Sequence, residues 1–144
     1  MTDQISVRTS ARSGRIWPVL LLLGYALVLA VIAFWPTPVD RPVAGILLRI
    51  DEWMPGAYRA IEFGANVALF VPLGALLALQ LPRRAAWVAV IAGAVASLSI
   101  ELLQAALLPE RFSTSSDVMA NTIGSAVGVV LVVIARWRPA AKHL

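Results

Sequence analysis

Cysteine is absent from the 144-residue chain, and histidine occurs once, as His143, next to last. Without cysteine there is no disulfide, no thiolate metal site and no thiol nucleophile. A lone histidine at the very end of the chain cannot activate serines such as Ser97 or Ser99, which excludes a Ser-His triad. The chain also has no Walker loop, no dinucleotide fingerprint and no HExxH pair, so the common nucleotide and zinc-protease chemistries are missing. Charge is scarce: 14% of residues are charged, against about 25% in soluble domains.

What the chain has is apolar length. Hydrophobic residues make up 60% of it, gathered in long runs rather than the short alternating segments of a membrane β-barrel. The fold class expected is an all-α integral membrane protein, four transmembrane helices in an antiparallel bundle. The spans predicted are 16–35, 60–81, 86–108 and 118–135, each near the roughly 20 residues that cross a hydrocarbon core. Residues 1–15, rich in Ser, Thr and Arg, read as a disordered basic tail, 16–138 as one four-helix domain, and 139–144 as a second tail. Pro18 suits the first turn of the first span. Residues 39–59 read as a loop with weak amphipathic character, and Trp53, Met54 and Tyr58 suggest that it lies along the membrane surface. Pro72, mid-span, should free the carbonyl of Ala68.

The net charge of +4 does not point to nucleic acid. Arg8, Arg12, Arg15, Arg83, Arg84, Arg136, Arg138 and Lys142 cluster at the two ends and one tight loop, alternate connections of a four-span chain, while Arg41, Arg49 and Arg59 in the 39–59 loop are balanced by Asp40, Asp51 and Glu52. The positive-inside rule then puts both termini in the cytoplasm and the 36–59 and 109–117 connections outside.

Polar residues inside the spans are the candidates for function, because side chains of this kind are costly in hydrocarbon and face a bundle interior or a watery cavity. Glu62 and Asn66 open the second span from the outer side. Glu101 and Gln104 lie at comparable depth in the third, sharing one helical face with Ser97. Asp117 and Asn121 open the fourth, in one stripe with Gly124 and Gly128, and Arg111 stands in the turn above. Three helices thus bring carboxylates and carboxamides to the same outer level, which suggests one shared outward-facing pocket. Each residue also has a plainer role. Asp117 complements a helix dipole, Glu62 pairs with Arg59 one turn back, and the amides are interhelical glue. Glu101, about two turns from the nearest loop, is the hardest to explain by packing alone. The Gly124-x-x-x-Gly128 pattern reads as close helix packing.

The set Asn66-x-x-x-Phe70-x-Pro72-x-Gly74, Glu101-x-x-Gln104, Arg111, Asp117, Asn121 and Gly124 through Gly128 resembles the VanZ-like family of small bacterial membrane proteins, over about residues 62–132. The resemblance implies a setting, the cell envelope and resistance to glycopeptide antibiotics such as teicoplanin, and no particular reaction. Relatives often carry further acidic residues just before the position of Asp117; here Thr114, Ser115 and Ser116 stand there, which argues against a metal. The leading reading is an envelope protein whose pocket, formed by Glu62, Asn66, Glu101, Gln104, Arg111, Asp117 and Asn121, engages a cell-wall precursor or glycopeptide. Its partners are membrane lipids and that ligand, with no cofactor, metal or nucleic acid. Rival readings are an enzyme on a lipid-linked substrate with Glu101 as acid/base, a small proton-linked carrier, and a purely structural subunit.

Overall fold

The computed structural model describes residues 3–35, 44–108 and 115–137. They form five helices and no strand: α1 (Asp3–Ala33), α2 (Ala44–Trp53), α3 (Ala57–Gln80), α4 (Trp87–Leu107) and α5 (Ser115–Ala135). A 3₁₀ turn, Arg83–Ala85, joins α3 to α4. Four helices, α1, α3, α4 and α5, are long and apolar enough to cross a membrane.

Three local features differ from the sequence expectation. The helix α1 begins at Asp3, ahead of residue 16 where the first span is predicted to start. Once a span exists, extending it adds a hydrogen bond per residue without a new nucleus. Pro18 therefore lies inside α1 rather than in its first turn. The 39–59 connection contains a helix, α2, and α3 begins at Ala57. The join between them is fixed by Asp51, whose Oδ1 accepts from the backbone N–H of Gly56 and of Tyr58, each at 3.0 Å. Gly56, with φ of 91°, supplies the left-handed residue this tight reversal needs.

Successive spans run antiparallel, but the most extensive helix contact is between α3 and α5, which are parallel. Their register shows the direction: Asn66 meets Asp117 near one end, Gly74 meets Ser125 midway, and Arg136 reaches Leu79 and Leu81 at the other. Glycines make the approach possible. A Cβ on Gly124 would collide with the Val67 carbonyl oxygen and stand 2.9 Å from Phe70 Cβ. On Gly128 it would collide with the Val71 carbonyl oxygen and stand 2.7 Å from the Ala75 nitrogen. Membrane helices gain nothing by hiding apolar surface from one another, so such backbone approach is what joins them.

α4 fills the groove beside this pair. Fully buried Ser125 projects from α5 toward Gly93, where a Cβ would collide with its Oγ. Around this middle layer sit two apolar clusters, Ala78, Ala86, Ala89, Val129 and Val132 across α3, α4 and α5, and Leu29, Phe70 and Leu73 joining α1 to α3. α1 is held by the Tyr25 hydroxyl, which donates to the Leu69 carbonyl at 2.7 Å. That acceptor adjoins the Ala68 carbonyl, which Pro72 deprives of its helical donor. The rest of α1 turns leucines such as Leu20, Leu23 and Leu27 outward, as a lipid-facing helix does.

Gly128→Val is expected to destabilise the protein by about 3 kcal/mol, the upper end of overpacking costs. Gly64→Ala, where a Cβ meets nothing within 4 Å, should be neutral or stabilising by up to about 1 kcal/mol. Thermal unfolding in detergent reads both, and an unchanged midpoint for Gly128→Val would contradict the contact described.

Candidate functional site

The polar side chains gather at the end of the bundle where α3 and α5 begin and where α1 and α4 end. Asn66 Nδ2, from α3, donates to Asp117 Oδ1, from α5, at 2.8 Å. One turn deeper, Asn121 Nδ2 donates to Ser97 Oγ, on α4, at 2.8 Å. Gln104 Nε2, near the end of α4, donates to the Ala33 carbonyl at the end of α1, also at 2.8 Å. The three amides thus each tie a different pair of helices.

The register of α4 against α5 orders these groups into rungs. Ser97 bonds Asn121, and one turn further along α5 Ser125 packs on Gly93, one turn back along α4. A further turn brings Ala89 and Val129 into one cluster. Continued toward the polar end, the same antiparallel step places Glu101 and Asp117 on one rung. Carboxylates from two helices therefore share a level, with Asn66 bonded to one of them.

Burial deepens away from that end. Glu62 is exposed, Asn66, Glu101, Gln104 and Asp117 are half-buried, and Asn121 is only 6% exposed. Glu62 and Glu101 both interact with neighbours. Asn121 Oδ1 is buried and accepts no hydrogen bond, and Ser125 Oγ is likewise buried without a partner. Buried polar atoms usually find partners, so the seam keeps unspent polar capacity directly below the Glu101–Asp117 rung. Among the described residues no group of three or more His, Asp or Glu side chains could hold a metal ion. Arg111 lies outside the described residues.

Several polar residues escaped the sequence reading. Ser125 had a signal in its position between Gly124 and Gly128, where a small residue is what close packing selects. Tyr25 and Gln80, whose Nε2 is buried without a partner, look like ordinary members of apolar runs, and nothing in their spacing sets them apart. Arg136 was read for its charge alone, yet its Nη1 donates to the Leu81 carbonyl at 3.0 Å and its Nη2 to the Leu79 carbonyl at 3.2 Å.

Four apolar spans, joined by backbone contact and carrying hydrogen-bonded polar groups at one end of their interior, define a small multi-pass helical membrane protein. Within that class, the VanZ/LLP1 family model matches residues 22–136, and the chain belongs to the VanZ-like family. It has no match among curated proteins and none among solved structures.

A double-mutant cycle on Asn66→Ala and Asp117→Ala should return a coupling of about 0.6 kcal/mol, up to about 1.7, the range for hydrogen bonds between membrane helices. Measured by unfolding in detergent, a coupling of zero would mean that this bond does not join α3 to α5.

Proposed function

We propose that this protein works in the bacterial inner membrane with its polar end outward, engaging a cell-wall precursor or another polar group presented at the outer leaflet. In that setting it contributes to glycopeptide resistance, teicoplanin in particular. The single observation that carries the reading is the polar end itself, where Asn66 bonds Asp117 and, one turn deeper, Asn121 bonds Ser97 with its own Oδ1 buried and without a hydrogen-bond partner among the described residues, away from Arg83, Arg84 and Arg136. Acids and amides held at that level recognise donor-rich headgroups, and carboxylates within membrane helices mark functional sites by default. Family membership supports the envelope setting. The same groups suit binding better than turnover: the amide donors of Asn66, Gln104 and Asn121 are already committed to other helices.

Deleting the gene is expected to lower the teicoplanin concentration that inhibits growth. Complementation with Glu101→Gln or Asp117→Asn, at matched protein level, should fail to restore it. Full rescue by both variants would show that neither carboxylate engages a ligand, and unchanged susceptibility on deletion would remove the resistance role.

The orientation is testable separately. A cysteine at Ser113 should react with an impermeant thiol reagent in intact cells, and one at Ala85 only after the cells are opened. The reverse pattern would turn the polar end inward and end the outer-leaflet reading.

A further inference from the structure

The basic end has a surface of its own, independent of the reading just given. Asp51, Glu52, Glu62, Glu101 and Asp117, the acids of α2, α3, α4 and α5, lie toward the polar end, and none of them pairs with Arg83, Arg84 or Arg136. The three arginines have different employments. Arg136 is committed to the α3 carbonyls of Leu79 and Leu81. Arg83 lies over the Trp137 ring, 4.7 Å from its centroid. That stacking engages the face of the guanidinium and leaves its N–H edges available. Arg84 is exposed and makes no hydrogen bond or ion pair among the described residues.

The turn that presents them is fixed. The backbone N–H of Leu81 donates to Ala78, that of Ala85 to Pro82 and that of Ala86 to Arg83, while Arg136 pins the Leu81 carbonyl. Ala86 is buried at 3% exposure, anchoring the turn on the core. Two indoles flank it: Trp87, 62% exposed, and Trp137, 72% exposed. Trp87 stands three residues after Arg84, on the same face of a 3₁₀ or helical turn. Exposed tryptophans at a span's end sit at headgroup level, their rings in the apolar boundary. The guanidinium groups beside them are therefore held at phosphate depth.

We propose that the Arg83–Ala85 turn, framed by Trp87 and Trp137, binds the phosphate of an anionic phospholipid. The occupant follows from charge complementarity and from continuity with the lipid-facing surface of the spans, where Val88, Ile91 and Ile134 are exposed just below. A guanidinium pair on a rigid turn matches phosphate oxygens through paired N–H groups, and the indoles cover the upper acyl chains. A free phosphate would use only the arginines and leave the apolar frame empty.

The test is native mass spectrometry of the intact chain, released from detergent micelles doped with equal phosphatidylglycerol and phosphatidylcholine. The wild type should retain phosphatidylglycerol in preference to phosphatidylcholine. Arg84→Gln should lose about five-fold in that retention, and Arg83→Gln with Arg84→Gln about 25-fold, the weight of one and of two basic groups at a lipid surface. Arg49→Gln, at the polar end, should change nothing. Arg84 has no hydrogen bond or ion pair to lose among the described residues, so its single variant stays informative if the double variant fails to fold, as circular dichroism would report. Equal retention of both lipids by the wild type would overturn the proposal, as would retention unaltered in Arg84→Gln. Displacement by millimolar inorganic phosphate would also overturn it, marking a site for the free anion.

Discussion

Backbone contact between α3 and α5 is the constraint on which the rest depends. These helices are not neighbours in the chain, and they run parallel, so no short loop brings them together. Gly74 on α3 and Gly124 and Gly128 on α5 let the two main chains meet where any Cβ would collide. The approach leaves a groove that α4 fills with Gly93 against Ser125. It also sets the level at which Asn66 finds Asp117 and Asn121 finds Ser97. The polar interior is thus a consequence of the glycine register. Moving α5 by one turn would separate Asn66 from Asp117 and Asn121 from Ser97.

The four spans were legible in the sequence because length and hydropathy are local properties, and the apolar runs matched α1, α3, α4 and α5 closely. The polar level was legible too, since counting residues from each helix end gives depth. Two kinds of information were not. Which helices touch is decided by shape, and small residues mark a contact without naming its partner; Gly74 stood out only as part of the family motif, and Gly93 read simply as a member of an apolar run. The pairing of amides was equally hidden: Asn66, Gln104 and Asn121 lie toward one end of the bundle, but at different depths and bonded to three different acceptors. The helix α2 was missed because its ten residues form only a weak amphipathic pattern between prolines and Gly56. Its junction depends on Asp51 capping the following helix, a relation between segments rather than within one.

Two parallel helices in contact align their dipoles, an arrangement that favours negative charge at their shared starting end and positive charge at their shared finish. The charges follow that rule. Asp51 accepts from the N–H groups of Gly56 and Tyr58 where α3 starts, Asp117 stands in the first turn of α5, and Arg136 donates to the carbonyls of Leu79 and Leu81 where α3 ends. Each such placement is worth about 0.3–1 kcal/mol, enough to account for these residues as parts of the scaffold. Glu101 is different. It lies on the oppositely directed α4, before its last turn, where a carboxylate complements no helix terminus. Glu101 has no helix-end duty of the kind that Asp117 has, and that difference is one ground for the binding role proposed for it.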